Sequence, residues 1–125
     1  MKAYTDLEQS KKLAEILPLK SADQTWERIA IAGANLDVPE ELQYRLNGDS
    51  PYLYYSGIGI PCWSLSALLN VINKDFYPNL FHDGEAWNLT ATHHDDNTIK
   101  YDTCGDDPLD IIYRMIVFLH DQNLI

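Results

Sequence analysis

The sequence predicts an α+β fold: about three helices packed on a small antiparallel sheet, in a single compact domain over residues 1–125. Three observations predict it. In Ile60–Ile72 the apolar residues Leu65, Leu68, Leu69 and Ile72 recur at helical spacing. From Pro108 to Asp121, Leu109, Ile112, Ile116 and Leu119 form a similar stripe. Residues 85–103 instead alternate apolar and polar side chains, the period of strands. Two strongly apolar helices need a common surface, and an isolated hairpin needs a cover.

In chain order, Thr5-Asp6-Leu7-Glu8 has the form of a capping box, with Thr5 as N-cap and Glu8 reaching back. It opens a helix over 5–17 whose buried side carries Leu13, Ile16 and Leu17, and Pro18 stops it. Ser21 to Gln24 again has the form of a cap and predicts a short helix through Trp26, Ile29 and Ala30. A strand through the same residues is the rival reading, because the apolar period fits both. Pro39 suits the first position of a one- or two-turn helix ending at Tyr44. Asn47-Gly48-Asp49-Ser50-Pro51 is a turn, since Asn-Gly supports positive φ. Tyr52–Tyr55 is the candidate third strand of the sheet. Gly57 and Gly59 break it into a loose connector, without the lysine and third glycine of a phosphate loop.

Ser64 caps the helix over 64–72. Phe76-Tyr77-Pro78 reads as a helix exit running into a loop. There Phe76, Tyr77, Leu80 and Phe81 cover the core or, alternatively, form an exposed contact patch. Strands over 86–92 and 98–103 follow, joined by a turn at Asp95-Asp96-Asn97. Asp107 caps the last helix, Pro108 takes its first position, and Asp110 meets the positive end of its dipole. Ile111, Met115 and Phe118 widen the apolar stripe of this helix. It is therefore expected to pack on two surfaces, or on a partner chain.

The net charge of −10 is uneven: residues 81–125 carry nine acids against Lys100 and Arg114. Such a surface repels phosphate, which argues against nucleic acid and against anionic membranes, and it suits a basic protein partner. The start of the chain turns polar at once, and no run approaches the ~20 apolar residues of a membrane helix. The expected location is cytoplasmic. Cys62 and Cys104 are then expected to be free thiols, with a disulfide between them as the rival.

Few residues suggest chemistry. His93-His94-Asp95-Asp96 is the one cluster that resembles metal ligands, and a solvated turn is the bland account of it. Adjacent histidines on a strand point to opposite faces, so one alone readily joins a site. Cys62 lies near a helix start and, with a histidine beside it, would be a candidate nucleophile. Its neighbours Ile60, Pro61 and Trp63 favour an inert buried thiol. No cofactor is indicated. Tyr52, Tyr54, Tyr55 and Tyr77 are candidates for contact with a partner, because tyrosine buries its ring while its hydroxyl tolerates water.

Leu13 through Asp23, Pro61 through Ile72, and Asp107-Pro108 with the apolar helix ending Leu119-His120 together resemble small uncharacterised proteins of gut Bacteroides-type bacteria and their phages or mobile elements. The resemblance implies a bacterial or phage cytosolic accessory protein and carries over no catalytic or binding residue. The expected function is that of a non-enzymatic accessory or interaction protein, with a protein partner or as a homo-oligomer. The alternative is a small hydrolase or metal-dependent enzyme built on Cys62 or on the His93–Asp96 loop.

Overall fold

A computed structural model describes residues 1–28, 44–47 and 59–125. The fold class is α+β, as predicted: among the described residues, three helices pack on two small antiparallel sheets. The described residues group into two compact units, residues 6–63 and residues 64–125 with 1–5.

The first unit opens with α1 (Leu7–Ile16). Its capping box lies one residue beyond the expected frame. Asp6 Oδ1 accepts from the Gln9 N–H at 2.8 Å, and Gln9 Oε1 accepts from the Asp6 N–H at 3.1 Å. Thr5, the expected cap, is fully buried instead. The two overlapping frames, Thr5/Glu8 and Asp6/Gln9, are chemically alike, and burial of Thr5 selects the second. A single 3-10 turn (Leu19–Ser21) follows Pro18.

A three-stranded sheet of order β2-β1-β3 completes this unit: β1 (Gln24–Arg28), β2 (Tyr44–Asn47) and β3 (Gly59–Cys62). The short helix expected through Trp26 is thus corrected to a strand. Ser21, its expected cap, has its hydroxyl committed elsewhere: Oγ donates to the Pro18 carbonyl at 2.6 Å and accepts from Trp63 Nε1 at 3.0 Å. β1 also gains antiparallel partners on both sides, Trp26 facing Leu46 and Ile60. Tyr44 begins a strand rather than ending a helix. Gly59 belongs to β3 rather than to a connector, and Pro61 is accommodated in a strand that, among the described residues, has a partner on one side only. α1 packs on β3 with Leu13 fully buried. The turn at 48–51 and the candidate strand Tyr52–Tyr55 lie outside the described residues.

In the second unit come α2 (Leu65–Ile72), β4 (Phe76–His82), β5 (Trp87–His93), β6 (Lys100–Gly105) and α3 (Pro108–Asp121). Ser64 caps α2 as expected, Oγ accepting from the Ala67 N–H at 3.2 Å. The hairpin β5–β6 matches the expected strands closely. β4 is a correction, since the segment read as a loop is a full strand paired with β5 from Phe76↔His93 to His82↔Trp87. Pro78 misled that reading, and hydrogen-bond parity explains why the proline is harmless. The Asp75 carbonyl accepts from the His94 N–H. Odd residues of β4 therefore bond to β5, while even residues, Pro78 among them, face the open edge where no N–H is required.

The order β4-β5-β6 leaves one face for the helices. Phe76, Leu89 and Ala91 are fully buried on it, under α2 and α3. α3 is buried along Leu109, Ile112, Ile116 and Leu119 and also at Ile111 and Met115, and it packs on both α2 and the sheet. Each such aliphatic side chain removed from water stabilises the fold by roughly 1.5–3 kcal/mol. The N-terminal arm fastens the start of α3. Asp107 accepts from the Leu109 N–H through Oδ1 and from the Lys2 N–H through Oδ2, and Lys2 Nζ pairs with Asp110 at 2.9 Å. At the other end Asn123 is left-handed, with φ 58. The Asn123 N–H donates to the His120 carbonyl and the Leu124 N–H to the Leu119 carbonyl, closing a Schellman motif. No helix among the described residues is long and apolar enough to cross a membrane.

Candidate functional site

Of the tyrosines expected at a contact surface, Tyr52, Tyr54 and Tyr55 lie outside the described residues. Tyr77 is 60% exposed on the helix-free face of the sheet, its ring 4.2 Å from that of His94. Phe81 shares that face and is 45% exposed. Of the four apolar residues expected to cover the core together, Phe76 alone is fully buried.

The histidines diverge as strand geometry requires. His93 meets Phe76 edge-on at 5.2 Å on the helix-covered face, and His94 lies against Tyr77 on the other. His93 Nδ1 accepts from the Asp95 N–H at 3.1 Å. Asp96 Oδ1 accepts from the Thr98 hydroxyl at 2.6 Å and from its N–H at 2.9 Å, which holds this carboxyl below its usual range. These bonds close the turn on itself around His93 and Asp96, while His94 Nε2 is buried without a hydrogen-bond partner among the described residues. Among the described residues no three His, Cys, Asp or Glu side chains gather as a metal-holding group.

Neither cysteine is in a disulfide. Cys62 is fully buried in β3. Burial first, and the Asp23 carboxylate second, push its thiol up to about 12. A thiol in that state is protonated at neutral pH and is a poor nucleophile.

A concavity lies elsewhere, between β6 and α3. It is a cleft of about 260 Å³ lined by Tyr101, Asp102 and Thr103 of the strand and by Arg114, Met115 and Phe118 of the helix. Phe118 is 41% exposed and meets Tyr101 edge-on at 5.0 Å, so the apolar stripe of α3 ends at the cleft rather than in the core. Gly105 lets the helix approach. A Cβ there would lie 2.8 Å from both Arg114 Nη2 and Ile111 Cγ2.

The strand side of the cleft is an open sheet edge. The His93 N–H donates to the Ile99 carbonyl at 2.9 Å. In the register Ala91↔Tyr101 and Leu89↔Thr103, odd residues of β6 therefore bond to β5. Lys100, Asp102 and Cys104 direct their N–H and C=O groups outward. Arg114 Nη2 donates to the Cys104 carbonyl at 3.0 Å. Among the described residues no other strand pairs there. The Asp102 carboxylate accepts from Thr90 Oγ1 at 2.7 Å on the helix-free face. Sequence reasoning missed this site. Its one visible signal is that Arg114 and Phe118 stand four residues apart, on one face of α3.

Comparison with protein-family models, curated proteins and solved structures finds no match for this chain.

Proposed function

We propose that this chain is a non-enzymatic interaction protein that binds a basic protein partner through its acidic C-terminal half. One observation carries the reading. An open strand edge beside an apolar cleft, flanked by the exposed Phe118, lies within residues 81–125, whose formal charge is −7. Desolvated aromatic anchors supply most of the affinity at protein interfaces, while charge steers the encounter. The acidic field would draw a basic partner in, and Phe118 with the floor of the cleft would hold it.

Affinity capture from the native cell lysate, run at low and moderate salt and repeated with Phe118→Ala, tests the reading. A partner that is recovered, is held less at moderate salt and is lost with Phe118→Ala is the expected result. Capture of nothing above background, with the pure protein monomeric by light scattering, removes it.

A further inference from the structure

We infer that the cleft between β6 and α3 accepts an extended segment of a partner as an added strand on β6, with a basic residue opposite Asp102 and apolar residues on either side of it. The inference rests on the interaction reading above and names its mode and ligand chemistry.

The two edges of the second sheet are built differently. On β4, Pro78 occupies an edge-facing position and offers no N–H, a common device against strand pairing. β6 has no proline. Its edge-facing residues Lys100 and Asp102 leave both main-chain groups open, and the Cys104 carbonyl is capped by Arg114. The open stretch is therefore short and ends at Arg114. An incoming antiparallel strand centred on Asp102 would exchange two main-chain bonds with it.

Side-chain parity then sets the sequence that fits. The residue opposite Asp102 projects to the helix-free face, beside a carboxylate that already accepts from Thr90. The Asp102 carboxylate directly opposite selects lysine or arginine there, although Lys100 on the same edge and Arg114 in the cleft, the two cations of residues 81–125, offset the −7 of that segment locally. Residues one step to either side project to the opposite face, over Tyr101, Met115 and Phe118, and are apolar. A second copy of this chain is disfavoured as occupant. Centred in the same way, it would set Asp102 against Asp102, and it brings another −10.

The test is a fluorescence-anisotropy titration with labelled Thr-Val-Lys-Val-Thr peptide. Binding is expected. Methylating the lysine amide nitrogen, which would face β6, should weaken it at least about tenfold through a lost hydrogen bond and a steric clash. Methylating a valine amide, which would face solvent, should leave it intact. Replacing the peptide lysine by glutamate, or Asp102→Asn in the protein, should weaken it by roughly two- to fivefold. Asp102→Pro, which copies the protection of β4, should abolish it with circular dichroism unchanged. The peptide arms use the unaltered protein, so a misfolded variant does not decide the outcome. Equal binding by both methylated peptides would show attraction by charge alone; it overturns strand addition and leaves the interaction reading standing. No binding by any peptide overturns strand addition as well, and lysate capture then decides the interaction reading separately. A dimer of the pure protein that Asp102→Pro dissociates would place a second copy on the edge and overturn the peptide mode.

Discussion

Cys62 and Cys104 are the same residue type in opposite states. Cys62 is sealed in β3 with its thiol raised to about 12, whereas Cys104 is exposed on an edge strand. A thiol reagent at neutral pH is expected to modify Cys104 alone in the native protein and both residues in denaturant. Rapid native labelling mapped to Cys62 would overturn its assignment as an inert core group. Asp83 shows how a fully exposed carboxylate can still be strongly perturbed. The N–H groups of Ala86 and Glu85 and then the Asn88 amide hold it down, to about 2 from 3.8. Its folded pKa lies below the unfolded one, so its contribution to stability is present above 3.8 and is lost as pH falls through about 2. Unfolding midpoints of the protein and of Asp83→Ala should differ near neutrality and converge toward pH 2. A difference that stays constant across that window would refute the linkage.

At the scale of elements, α3 depends most on its start. Asp107 serves two ends at once, capping the helix through Oδ1 and anchoring the N-terminal arm through Oδ2. Asp107→Ala is expected to cost about 1 kcal/mol for the cap, and more if the arm releases. Urea denaturation reads this as a lower midpoint with an unchanged slope. An unchanged midpoint would mean that the cap is replaced by water without loss. The strands show where local reading works and where it fails. β5 and β6 were legible because Trp87, Leu89 and Ala91 alternate with polar residues over a half-buried face. β4 was not legible, because Pro78 looks like a breaker until its place on an edge is known.

For the whole molecule, the charge of −10 over 125 residues implies self-repulsion that salt relieves. The melting temperature should rise between ~10 mM and ~150 mM sodium chloride, as the screening length falls from roughly 30 Å to 8 Å. A fall instead would show that attractive pairs such as Lys2–Asp110 outweigh the net field. The same field opposes the approach of two copies at the β6 edge, where an open strand would otherwise template self-association.

The sequence by itself determined the α+β class, the last two helices with their caps at Ser64 and Asp107, and the β5–β6 hairpin. A helix closes its hydrogen bonds within four residues and a hairpin pairs segments that are adjacent in the chain, so their signals are local. Only the tertiary structure decided that 24–28 and 76–82 are strands, because a strand's bonds go to partners elsewhere in the chain. It alone also decided which capping frame α1 uses, since burial of Thr5 depends on the packing around it. The candidate site belongs to the same class. Tyr101 and Asp102 meet Arg114 and Phe118 only once α3 crosses the sheet beside an edge that no other strand among the described residues occupies. An open edge is a property of strand order, which side-chain periodicity does not encode.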